Sequence, residues 1–379
     1  MIRFIFRLLS QLAFAAFVVS CSSESPFKVA GEVSNLSSSS HDPGKNSSDN
    51  PDQSGNSNEI GVGENDGSTQ LPAIGGPIPE LELWKTRMLD GKKYCVESQI
   101  RGAIGSSGVS NEGNVWFYDG ARVYFQIAEY TGDNSWLECA RWAAEAYRDW
   151  VLSTTNGVTY PVGRLSGWRI FPHGMYTNWQ LRGDASSKEA IKRMALYSAF
   201  APLTVGDKCQ YVREIAYIIQ AYIAYEKAGF GRHPNLEKAV GFALGHLDTV
   251  LDKQTCSWWA PYMLGLNFAA LIEYIELTNS TSAIAALEKA TDQLWKAAWI
   301  EKDLSFFYDV KSKSAGEPDL NLLIAPAYAW LWKHTGNAVY LERGDKIFAG
   351  GVKGAEFWSG KQFSQNYRWS FDYVKWRSN

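Results

Sequence analysis

The chain has 379 residues, with Lys+Arg 37 against Asp+Glu 40 and a formal net charge of -3. That length allows one large domain or two ordinary ones, and the charge balance argues against a nucleic-acid partner, which calls for a basic excess. Aromatic residues make up 14%, with Trp 16 and Tyr 19. This exceeds what packing a core requires and supplies flat apolar faces with polar edges, as sugar-binding clefts use.

Arg3 and Arg7 flank the start of an apolar stretch, Leu8 to Val19, that is too short for a committed transmembrane helix. It runs into Val18-Val19-Ser20-Cys21, which resembles the lipobox of bacterial lipoproteins. The resemblance implies a signal peptide over 1–20 and lipidation (palmitate) at Cys21, so that the membrane becomes a partner through the anchor. Ser22 after the Cys then favours the outer membrane, on its periplasmic or surface side. An ordinary cleaved signal with an incidental Cys would give a secreted protein instead, and in both cases the chain leaves the cytoplasm. Residues 21–79 are rich in Ser, Asn, Gly, Asp and Pro and cannot bury enough apolar surface to offset their ordering entropy. They read as a disordered tether with a span on the order of 40 Å. His41 falls inside it and is discounted.

From residue 80 the apolar spacing is helical. Phe117 to Tyr130, Leu137 to Val151, Tyr211 to Lys227, Leu236 to Leu251, Tyr262 to Leu277 and Ile284 to Trp299 fit a 3.6-residue period. Short turns punctuate them at Gly132-Asp133, Gly183-Asp184, Gly229, Asn279 and Gly336-Asn337. Each places a Gly or Asn at a helix end and opens the next helix. The turns recur roughly every 50 residues, a period that signals stacked helical hairpins. Longer, aromatic-rich loops at about 152–170, 201–210, 251–260, 300–320 and 350–366 join the opposite ends. Five or six hairpins cannot bury their faces separately, so 80–379 is read as one all-α domain, an (α/α)-toroid of about six hairpins. A right-handed open solenoid is the alternative, disfavoured because neither end looks like a polar capping repeat.

This topology puts the short turns on one rim and the long loops on the other. Much of the Trp and Tyr then gathers at the long-loop rim beside His, Arg, Asn and carboxylates. Trp168, Asn178, Tyr217, Trp258, Trp259, Tyr262, Asn321 and Asn366 are the candidate sugar-binding residues. The arrangement resembles the α/α-toroid carbohydrate-active enzymes, and Phe171-Pro172-His173-Gly174 opening a helix that ends at Gly183-Asp184 is similar to lyases acting on uronate polymers such as glucuronan or alginate. The resemblance implies a secreted polysaccharide lyase cleaving an acidic polysaccharide by β-elimination.

A lyase must neutralise a uronate carboxylate and move a proton with a Tyr or His. The residue types occur in three sets: His173, Tyr176 and Asn178; Arg213 and Tyr217; and Asn366, Tyr367 and Arg368. His173, Tyr176, Arg213, Glu214, Tyr367 and Arg368 are the candidate catalytic residues. An inverting or retaining glycoside hydrolase would instead use two carboxylates across the cleft. Its candidates are Glu214, Asp309, Asp319 and Asp372; Glu214 is most simply explained as the ion-pair partner of Arg213, whereas Asp372, inside an aromatic helix, is the least easily dismissed, either as an acid raised in pKa by burial or as the partner of Arg368 four residues back. A glycan-binding lipoprotein without activity would share the same aromatic rim.

No GxGxxG, Walker-type loop, HExxH or GxSxG motif stands out, and no cofactor is expected. Ligation of a metal by His173 with Asp319 has no spacing to support it, so no metal is expected either. Of Cys95, Cys139, Cys209 and Cys256, the pair Cys209–Cys256 is favoured as a disulfide, because both precede rim helices of neighbouring hairpins. A monomer is expected.

Overall fold

The computed structural model describes residues 75–102, 114–158, 165–313 and 315–378. The lipobox, Cys21, His41 and the tether up to residue 74 lie outside them. The folded unit begins slightly earlier than residue 80: Ile78 is buried, and the carbonyl of Gly75 accepts from Arg377 at 2.9 Å.

The chain is helical almost throughout. Helices α1 (Leu81–Asp90) and α2 (Glu97–Gly102) lead into five hairpins. These are α3 (Gly120–Thr131) with α4 (Ser135–Thr154), α5 (Pro172–Arg182) with α6 (Ala185–Tyr197), and α7 (Val212–Tyr225) with α8 (Leu236–Leu247). Next come α9 (Pro261–Thr278) with α10 (Thr281–Ala298) and α11 (Ala325–Thr335) with α12 (Ala338–Gly354), before α13 (Gly360–Arg368) and α14 (Ser370–Arg377). The turn residues behave as the sequence predicts. Gly132, Gly183, Asn279 and Gly336 each end a helix in the left-handed region, at φ 69°, 67°, 56° and 70°. Asp184, Ser280 and Asn337 then cap the returning helix through their side chains.

Helices α3, α5, α7, α9, α11, α13 and α14 form a closed inner ring. Helix α3 packs on α5, α5 on α7, α7 on α9, α9 on α11, α11 on α14, and α13 returns to α3. Helices α4, α6, α8, α10 and α12 lie outside them. The two ends of the unit complete the circle. Trp84 of α1 donates to Ser370 at 2.9 Å and its carbonyl accepts from Tyr367, so an early outer helix backs the last inner one. The architecture is an all-α toroid, and the ring closes rather than running on as an open solenoid.

Inner helices must bury every face, and their sequences show it. In α7 only Arg213 and Tyr225 escape full burial, and α9 is similarly apolar. The outer α10 instead carries one apolar stripe, with Ala283, Leu287, Ala290 and Leu294 inward.

Three expectations need correction. Helix α3 starts at Gly120 rather than Phe117, because Tyr118 and Asp119 both take left-handed backbones (φ 57° and 60°). The 300–320 loop holds a small antiparallel pair, β1 (Trp299–Ile300) with β2 (Ser305–Phe306). The 350–366 loop is largely helical, as α12 runs to Gly354 and α13 starts at Gly360. Cys209 and Cys256 are disulfide-bonded, joining the approaches to α7 and α9. A second bridge, Cys95–Cys139, ties the segment after α1 to α4. No described helix is long and apolar enough to cross a membrane.

Candidate active site

The ring interior carries two tiers of polar side chains. The first is built by α3, α5, α7, α9, α13 and α14. His173, in the first turn of α5, bonds through Nε2 to Glu273 Oε2 of α9 at 2.9 Å. The other Glu273 oxygen accepts from Gln220 of α7 at 2.7 Å. His173 Nδ1 faces Asp119 Oδ2 at 3.7 Å, and Arg368 Nε approaches the same oxygen at 3.8 Å. Arg368 also stands 3.6 Å from Asp372 Oδ2. Arg122 of α3 donates to Thr177 at 3.2 Å. None of the contacts to Arg368 is a tight ion pair, so its guanidinium retains bonding capacity.

Surroundings set two of this tier's three carboxyl groups, Glu273 and Asp372, apart. Burial works to raise the Glu273 pKa, but the facing His173, its hydrogen bond and the more distant Lys227 and Arg368 overcome it and bring the pKa down to about 2. For Asp372 burial wins: its pKa is raised although Arg368 and Arg122 oppose the shift. Burial and the neighbouring Arg368 both pull the Arg122 pKa down. The groups still reach solvent, with side chains 22% exposed at His173, 20% at Glu273 and 29% at Asp372. An ionised carboxylate beside one that holds its proton more tightly is the usual means of dividing acid and base work.

Close approach of α5 to α3 makes the tier possible. The N–H of Gly174 donates to both oxygens of Asp119 at 3.1 Å. A Cβ on Gly174 would lie 2.4 Å from Asp119 Oδ1 and 2.9 Å from the Arg122 nitrogen, so a larger residue would force the helices apart.

The second tier is tyrosine-rich. Arg213, in the first turn of α7, binds Glu214 at 2.6 Å, with Tyr118, Tyr217, Tyr262 and Tyr308 within electrostatic reach. Burial alone would lower the Arg213 pKa; the Glu214 carboxylate more than reverses this and raises it. Burial pushes up the phenols of Tyr118, Tyr217 and Tyr262, and that of Tyr308 to about 12. Glu214 Oε2 and the Tyr217 hydroxyl are buried without a hydrogen-bond partner among the described residues. Arg213 also lies over the ring of half-buried Trp168, 5.8 Å from its centroid.

Of the sequence candidates, His173 and Arg368 come together in the first tier. Arg213, Glu214, Tyr217, Tyr262 and Trp168 meet in the second. The others have contacts of their own. Tyr367 is buried and its hydroxyl donates to the carbonyl of Trp84 at 2.9 Å, so it wedges α13 against α1. The contact of Tyr176 is an edge-on packing with Trp179 on its own helix. Asn178 holds Asp184 and Ser187, locking the α5–α6 turn. Asn321 ties the carbonyls of Leu304 and Ile347, and Asn366 that of Glu356. Trp259 packs edge-on against Phe307, and Trp258 is half-buried on the core. Asp309 caps a turn through the N–H groups of Lys311 and Ser312. Asp319 falls beside Tyr118 and not beside His173, and no three His, Cys, Asp or Glu side chains among the described residues gather to hold a metal ion. The aromatic surplus is mostly packing: only Trp358 among the tryptophans is exposed, at 59%.

Sequence reasoning missed Glu273, Gln220, Asp119 and Arg122. The first two carried a readable signal. Each is a polar residue set in an apolar run of its helix, Ile218-Ile219-Gln220-Ala221 and Leu271-Ile272-Glu273-Tyr274, and burial of such a group requires a partner.

No family model matches the chain, and no curated protein matches it. Among solved structures, a sugar epimerase from a ruminal bacterium superposes with a TM-score of 0.46 at 11% identity, over 72% of this chain and 90% of that one.

Proposed function

We propose that the protein is a polysaccharide lyase that cleaves a uronate-containing polymer by β-elimination at the first tier. The observation that carries this reading is the His173–Glu273–Gln220 chain, set beside two loosely engaged guanidiniums in the ring interior. Arg368 and Arg122 meet the substrate carboxylate and stabilise the negative charge that builds on it as the neighbouring carbon loses its proton. With the Nε2 proton of His173 directed at Glu273, Nδ1 is the ring atom left to accept it; this tautomer is assigned from the hydrogen bond. The C5–H electron pair becomes the C4–C5 double bond and the C4–O bond breaks. Asp372, which burial keeps protonated more readily, gives its proton to the departing oxygen. No water is consumed, and exchange with solvent restores both groups.

A second reading, glycoside hydrolysis, draws on the same contrast between Glu273 and Asp372, with Asp372 as acid and Glu273 activating water. The two are separated by incubating the purified protein with glucuronan, alginate and pectin. The ultraviolet absorbance of an unsaturated uronate supports elimination. New reducing ends without that absorbance favour hydrolysis and overturn the lyase reading.

A further inference from the structure

Asp119 is held in an unusual way for a capping residue. Asp184, Ser280 and Asn337 also cap helices through their side chains, and all three do so from an extended backbone, with ψ between 95° and 114°. Asp119 caps α3 from φ 60°, ψ 50°, and Tyr118 before it is left-handed too. Such a conformation costs on the order of 1–2 kcal/mol per non-glycine residue, and capping alone does not require it. Backbone strain retained in this way points to a task beyond the helix end.

The left-handed turn brings the carboxylate to where three inner helices converge. It accepts the N–H of Gly174 at the start of α5 and that of Arg122 in α3. Oδ2 faces His173 Nδ1 at 3.7 Å on one side and Arg368 Nε at 3.8 Å on the other. Asp119 is 4% exposed, so water does not screen these contacts. Gly174 leaves the space the carboxylate occupies, because a Cβ there would meet Oδ1.

We propose that Asp119 is the positioning residue of the site. Its buried carboxylate faces His173 Nδ1, where it stabilises the imidazolium formed once that atom has taken a proton, and sets the Arg368 guanidinium beside the ring, while Glu273 holds the opposite edge. The charged groups around His173 are then Asp119 from the start of α3, Glu273 from α9, Arg368 from the end of α13 and Asp372 from α14, with Arg122 of α3 within electrostatic reach of Asp119, Arg368 and Asp372. This inference rests on the first tier being the reactive site, though not on the reaction being an elimination.

The test is Asp119→Asn in the full chain. Asn tolerates the left-handed backbone and its Oδ1 still accepts from the N–H groups of Arg122 and Gly174, so the cap survives while the charge and the second acceptor oxygen, the one facing His173 and Arg368, are lost. Nitrogen-15 spectra of the imidazoles, recorded without substrate across a pH series, should show the His173 resonances and their pH response altered, with those of His233, His246 and His334 unchanged. On whichever uronate polymer the wild type cleaves, turnover should fall about 10- to 100-fold with KM within about threefold. Thermal stability should stay at the wild-type level, whereas Asp119→Ala should lose both stability and turnover. Unchanged His173 resonances in Asp119→Asn would overturn the proposal, and that arm decides even where no polymer is cleaved. Wild-type turnover in Asp119→Asn with a destabilised Asp119→Ala would also overturn it, leaving Asp119 a cap.

Discussion

The two polar tiers of the ring hold similar residue types under opposite conditions. In the tyrosine tier Arg213 and Glu214 pair at 2.6 Å in a nearly closed setting. In the histidine tier Arg368 stands 3.6–3.8 Å from two carboxylates, and the groups around it still reach solvent. A tight buried pair has spent its electrostatic capacity on its own partner, whereas a guanidinium held at a distance from several acids can still answer a substrate charge. Residue type alone does not separate scaffold from site; pairing distance does, since the Arg368 side chain is, at 5% exposed, no more open than that of Arg213 at 15%.

Several substitutions can break or sharpen that contrast. The largest effect is expected at His173→Ala, where steady-state turnover of a uronate polymer per folded molecule should fall about 10²- to 10⁴-fold, well beyond the loss of stability that follows from leaving Glu273 without its partner. Turnover within a few-fold of wild type would move the chemistry to the other tier. Glu214→Gln should act in the reverse sense. Removing one partner of a buried ion pair costs about 3–5 kcal/mol in denaturant unfolding, while the molecules that remain folded keep their turnover. A loss of turnover larger than the loss of folded protein would restore Glu214 to the catalytic set.

Acid stability gives a third comparison. The Glu273 pKa lies near 2 in the folded protein against 4.5 in the unfolded chain, so its contribution is complete above 4.5 and is lost as the pH falls toward 2. Glu273→Gln should therefore be less stable near neutrality and show a shallower decline over that window; an unaltered acid limb would mean that His173 does not hold the carboxylate ionised. The smallest effect belongs to Tyr367→Phe, which removes one buried hydrogen bond to Trp84 and should cost about 1 kcal/mol without changing turnover. Lost activity at full stability would return Tyr367 to the site.

Much of the architecture was legible in the sequence because helix ends are local chemistry. Gly132, Gly183, Asn279 and Gly336 mark positions where the backbone must turn left-handed, and the Asp, Ser or Asn beyond them caps the next helix. The bridge Cys209–Cys256 followed from the same register. The site was only partly legible, because placing a residue on a rim does not say which way its side chain points. Successive helical residues turn by about 100°, so Asn366, Tyr367 and Arg368 face three directions, and only Arg368 turns into the ring. Tyr118 and Asp119 escaped for a different reason. Their left-handed turn is stabilised by contacts with α5 and α13, remote in sequence, and neither residue type announces it.

The central claim is that the histidine tier removes a proton from a uronate rather than adding water across a glycosidic bond. Cleavage in water enriched with oxygen-18, with the fragments weighed by mass spectrometry, tests it most directly. Elimination predicts a new non-reducing fragment lighter by one water, heavy oxygen at the new reducing end only at the slow rate at which any free reducing end exchanges with water, and loss of both fragments in His173→Ala. Heavy oxygen incorporated at the point of cleavage, with no unsaturated fragment, would contradict it.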